Sequence, residues 1–134
     1  MSNPRIDREL ERLAAGGQVA IYLNSPREVV LYREVPTAGA SRGLPSVVDI
    51  VVPVPSGYPA SMIDLAALKT DSPFLSLVKG GKNNQGIITG VDGTSWQLAS
   101  YHPHNGGGGV PWNPMRHGFD TYLDHLIAWL ERLE

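Results

Sequence analysis

Ser100, His102 and His104 occupy alternate positions in the segment 96–114, which reads WQLASYHPHNGGGGVPWNP. If the segment 96–104 is extended, all three side chains point to one face, because the side-chain period of a strand is two. A serine hydroxyl is a weak nucleophile until a base takes its proton, and His102 stands where such a base is needed. His104 is the second imidazole of that face. Asn105 and the glycine run 106–109 follow at once, and their N–H groups would stabilise an oxyanion. Glycine also lets another backbone or ligand approach closely. The predicted catalytic set is therefore Ser100, His102, His104 and Asn105. A plainer reading has Ser100 and His102 satisfying one another at a sheet edge, where Pro103 ends the ladder. A third gives His102 and His104 to a metal with His117, since histidines at i and i+2 of a strand can share an ion. No flanking carboxylate completes that set, so neither metal nor cofactor is expected. His125 reads as a helix-face residue.

The chain has no cysteine, which removes disulfides, thiolate nucleophiles and cysteine-ligated metals together. Its 134 residues suit a single domain, 1–134, large enough for a real core. A net charge of −2 argues against nucleic acid or an anionic membrane as a general partner. No apolar run spans a bilayer, and the first residues, MSNPRIDREL, lack a signal peptide's apolar centre. The expected location is the cytoplasm.

The elements that must position these residues begin with a helix over Pro4–Ala15. Ile6, Leu10 and Leu13 form its apolar face, Asn3 and Pro4 start it, and Gly16-Gly17 ends it. Arg5, Arg8 and Arg12 make a basic stripe along it. Such a stripe is commonly a solvated face; its sharper meaning is a docking surface for an acidic partner. Residues 18–24 and 28–35 read as a hairpin, and 46–54 as a third strand. The apolar run 47–52 suits a strand covered on both faces, with Asp49 turned outward.

Pro53, Pro55, Gly57 and Pro59 break regular structure. Residues 60–78 are ambiguous, with Met62, Leu65, Ala66 and Leu68 able to form a helical turn or merely to pack over the sheet edge. A weak strand over 86–90 leads through the Asp92-Gly93 turn to a strand over 94–102. Phe119, Tyr122, Leu123, Leu126, Ile127, Leu130 and Leu133 define a C-terminal helix. Trp96 and Trp112 read as packing residues. Trp129 reads as lying off the apolar stripe, part-exposed and open to a partner. The predicted fold is α+β: an N-terminal helix, an antiparallel meander of about four strands, and a C-terminal helix, the helices on one face.

Four motifs then fall in a telling order: the strand end Pro53-Val54-Pro55, Tyr58-Pro59, His102-Pro103, and Trp112-Asn113-Pro114 ahead of a helix. Over nearly its whole length the chain resembles the ubiquitin-conjugating enzyme (UBC) fold. The likeness is to a bacterial branch associated with ubiquitin-like proteins, the prokaryotic conjugating-enzyme family E. In the UBC family a Tyr-Pro pair follows the third strand, a His-Pro-Asn triplet precedes the catalytic cysteine, and a Trp-x-Pro precedes the next helix. Here His104 intervenes before Asn105, the cysteine is absent, and only residues 103–111 separate His102 from Trp112. A thioester carrier is excluded. The resemblance implies a component of a bacterial ubiquitin-like protein conjugation pathway, with an activating enzyme and a ubiquitin-like protein as partners. It would be either a transferase holding the modifier as an oxyester on Ser100 or a non-catalytic binding variant. In the family the first helix docks the activating enzyme, which would give Arg5, Arg8 and Arg12 their partner.

Overall fold

The computed structural model describes residues 4–25, 27–78, 86–99, 101, 103–104 and 111–132. Helix α1 (Pro4–Ala15) leads into strands β1 (Ala20–Leu23), β2 (Val29–Pro36) and β3 (Val47–Pro53). Strands β4 (Ala66–Lys69), β5 (Ile87–Val91) and β6 (Thr94–Ala99) follow, and helix α2 (Phe119–Arg132) closes the order. The class is α+β, with six strands rather than about four. The sheet order is β1-β2-β3-β4-β6-β5, so β4 pairs with β6 and the meander is interrupted. The ambiguous stretch supplies β4 and a 3-10 turn at Pro73–Leu77, not a helical turn around Met62. The strand expected over 94–102 is assigned only as far as Ala99; Tyr101 lies outside it and Pro103 and His104 are in a turn, so His104 is not on an extended strand face as expected.

Local chemistry explains the boundaries. Gln18 N–H donates to Leu13 O, Gly17 N–H to Ala14 O, and Gly17 sits at φ 87°. These are the bonds of a helix end closed by a left-handed residue, where glycine costs least. Asp92 and Gly93, at φ 55° and 71°, make the two-residue turn of the β5–β6 hairpin. Positive φ at both positions matches the right-handed strand twist.

Both helices lie on one face of the sheet. Ile6 and Leu13 of α1 and Phe119, Tyr122, Leu126, Trp129 and Leu130 of α2 share a core with Val30, Tyr32, Ile50 and Val52. Alternate residues form a second cluster on the other face, where Leu31, Val51, Ala67 and Leu98 stand in register across β2, β3, β4 and β6. Trp96 is fully buried there, its Nε1–H donating to Val91 O. Ile50, Val51 and Val52 are thus covered on both faces as expected, whereas Val47 at the start of the run is exposed. Asp49 is not turned freely outward as expected but is part-buried, accepting the Glu34 N–H at 2.8 Å and pairing with Arg33 and Lys69.

Arg33 also reaches Asp92 at 2.8 Å, though β2 and β5 lie far apart in the strand order. The sheet is therefore curled, which lets its own strands help shield the second cluster. Trp129 is buried and stacked on Tyr101 at 5.3 Å, contrary to the part-exposed position expected off the apolar stripe. It follows Tyr122 by two helical turns and so shares the buried face. Among the described residues no helix is long and apolar enough to cross a membrane.

Candidate functional site

The start of α2 is held by a residue of α1. Glu9 is 2% exposed. Its Oε1 accepts the Phe119 N–H at 2.9 Å and the Tyr58 hydroxyl at 2.6 Å, and its Oε2 accepts Arg5 Nε–H at 2.8 Å. Gly118 is the N-cap of α2, because its carbonyl accepts the first helical bond, from Tyr122 N–H. A glycine has no side chain to cap with, so the carboxylate comes from the other helix. A Cβ at Gly118 would stand 2.6 Å from Glu9 Cδ and Oε2, so the absence of a side chain makes the approach possible. Burial first, then the bond to Glu9, push the Tyr58 phenol well above its usual range.

This junction was not expected from sequence, but a signal for it exists. Glu9 lies between Ile6 and Leu13 on the apolar stripe, and a carboxylate on a buried stripe demands partners.

Tyr58 carries the junction to the second tryptophan. Its ring lies 5.1 Å from Phe119 and 6.2 Å from Trp112. Trp112 Nε1–H donates to Pro59 O at 2.9 Å. Trp112 is half-buried and packs as expected.

Beside it lies a histidine cluster. The His104 ring is 4.9 Å from His117, 4.9 Å from His125 and 5.0 Å from Trp112. His104 is buried, and Tyr122 closes the same group at 6.2 Å. His125 is half-buried within this cluster as well as being a residue of α2. Burial, then His104 and Arg116, lower the His117 pKa; burial, then His104 and His117, lower that of His125.

His117 also shapes its own turn. Its Nδ1 accepts the Asn113 N–H at 2.9 Å, while its own N–H donates to Asn113 O at 2.8 Å. In the neutral ring the proton therefore sits on Nε2. That nitrogen then has no lone pair to give a metal, and Nδ1 is already engaged. Among the described residues no group of three or more histidine, cysteine, aspartate or glutamate side chains is placed to hold an ion.

Of the predicted catalytic set, His104 is the described member. Ser100, His102, Asn105 and the glycine run lie outside the described residues. The predicted stripe of Arg5, Arg8 and Arg12 divides by role. Arg5 pairs with Glu9 and donates to His117 O at 2.7 Å, so it belongs to the helix junction. Arg12 reaches Asp120 at 3.3 Å with its side chain largely in solvent. Arg8 is exposed and, among the described residues, forms no ion pair. Arg8 and Arg12 meet Arg116 and Met115, which is 90% exposed, around a small cleft of about 130 Å³ between α1 and the turn before α2. Glu9 and Asp120 line the same cleft, each paired with an arginine, so the rim carries a net positive charge. Comparison with protein-family models, curated proteins and solved structures finds no match to this chain.

Proposed function

We propose that this chain is a UBC-like component of a bacterial ubiquitin-like protein conjugation pathway, working with an activating enzyme and a ubiquitin-like protein. The observation that carries the reading is the meeting of its motif residues. Trp112 and Pro59, separated by 53 positions, share a hydrogen bond, and the Tyr58 ring packs between Trp112 and the start of α2. A helix–sheet–helix order around that meeting supports the same reading.

Within it, the burial of His104 among Trp112, His117, Tyr122 and His125 favours a binding role, because an enclosed imidazole is poorly placed to meet a reacting group. What the described residues offer a partner is the arginine rim. The carrier reading rests on the expected pairing of Ser100 with His102, both outside the described residues.

The test mixes the protein with the activating enzyme, ATP and the ubiquitin-like protein, and looks for an adduct on a denaturing gel. An adduct that resists thiol reductant, yields to hydroxylamine and vanishes in Ser100→Ala identifies an oxyester carrier. Binding without an adduct identifies the non-catalytic variant. Neither binding nor adduct overturns the proposal.

A further inference from the structure

The residues 113–117 form a tight turn between the Trp112–Pro59 contact and the N-cap of α2. Besides the two bonds linking Asn113 and His117, Met115 N–H donates to Asn113 Oδ1 at 2.9 Å and Arg116 N–H to Asn113 O at 3.0 Å. Every one of these bonds passes through Asn113. The bond from Asn113 N–H to His117 Nδ1 differs from the rest because its acceptor can bind a proton.

We infer that this turn is a proton-operated switch: protonation of His117 at Nδ1 replaces an acceptor with a donor, sets two N–H groups against each other, and releases the turn that displays Met115 and Arg116. The switch rests on the turn alone and holds whether or not the chain serves a conjugation pathway.

The charges around His117 set its range. From α1 it is faced by Arg5, whose guanidinium bonds its carbonyl, and by Arg8, Glu9 and Arg12 across the cleft. Arg116 adjoins it and Asp120 lines the same cleft. His104 and His125 stand on the cluster side. Glu9 and Asp120 are each paired with an arginine, so the surroundings lean positive and oppose protonation. The shift is downward from 6.5, for burial first and then for His104 and Arg116. The unfolded chain therefore takes up the proton before the folded one. The turn's contribution to stability is full at neutral pH and above and is lost as pH falls below 6.5.

The experiment is amide exchange by NMR on the whole protein between pH 7.5 and 5, corrected for the intrinsic pH dependence of exchange. Asn113 N–H is expected to lose protection in step with the His117 ring titration, at a midpoint below 6.5. His117→Asn places Oδ1 near the former Nδ1, an acceptor that does not titrate, and is expected to keep Asn113 protected throughout. Asn113 protection that is constant across the range in the wild type overturns the switch, as does an equal loss in His117→Asn. Should that variant not fold, the wild-type ring nitrogen shifts decide: a neutral His117 carrying its proton on Nδ1 also overturns it. Partner binding measured at pH 7.5 is a separate readout, so failure of the pathway reading leaves the exchange result standing.

Discussion

A buried carboxylate with donors converging on it is expensive to disturb, and Glu9 is such a group. It receives the first N–H of α2, the Tyr58 hydroxyl and the Arg5 guanidinium, almost without water. Glu9→Ala strands the Phe119 N–H and the Tyr58 hydroxyl, while Arg5 keeps its bond to His117 O, and should cost about 3 kcal/mol of stability. Gly118→Ala should cost about 1–3 kcal/mol, because its Cβ would overlap a carboxylate pinned from several sides. In the Glu9→Ala background that carboxylate is gone, and the same substitution should cost less than about 1 kcal/mol. Urea unfolding of the two single variants and the double variant measures the difference. Additive costs would show that the crowding of Gly118 against Glu9 is not what requires glycine there. Glu9 was legible in part, as a charge on an apolar stripe. Its partners were not, because Tyr58 and Phe119 reach it only through tertiary packing.

At the scale of elements, sequence reading succeeds where the signal is local. The bounds of α1 follow from its apolar spacing and the Gly16-Gly17 stop, and the β5–β6 turn follows from Asp92-Gly93. It fails where pairing decides. β4 is a short strand containing two alanines, and its extended form is imposed by β3 on one side and β6 on the other. The histidine cluster is legible in part: grouping His104 with His117 anticipates two of its members, which lie 4.9 Å apart, but only the return of α2 past Tyr101 brings His125 to His104. Another feature hidden from pattern reading is the irregularity between Tyr32 and Val35 in the β2–β3 ladder. Glu34 sits there at φ 49°, a conformation that L side chains resist, with its N–H on Asp49. Glu34→Gly should relieve that strain and stabilise the protein by up to about 1 kcal/mol. Glu34→Val should destabilise it by about 1–2 kcal/mol, since a branched Cβ suits this region worst. Thermal unfolding of the pair gives the ranking, and a valine variant at least as stable as the glycine one would refute a strained bulge.

The whole molecule is a curled sheet with an apolar cluster on each face, both helices on one of them and a cationic rim beside their junction. That arrangement assigns different work to arginines that look alike in sequence. Arg5 is structural, so Arg5→Glu would set a second carboxylate beside buried Glu9 and lower stability before any partner is met. Arg8 and Arg12 are exposed, and the single ion pair they form among the described residues, Arg12 with Asp120, is of the surface kind that contributes little. Arg8→Glu with Arg12→Glu should therefore leave unfolding within about 0.5 kcal/mol of the wild type. If the activating enzyme docks on this rim, the same pair of changes acts on encounter. The association rate should fall about tenfold at low salt, where steering is strongest, with the dissociation rate changing less. At about 1 M salt the Debye length shrinks to about 3 Å, and the gap between variant and wild type should nearly close. Surface binding kinetics at two salt concentrations read both effects. An association rate unchanged at low salt would remove the rim as the docking surface and leave its charges as a solvated helix face.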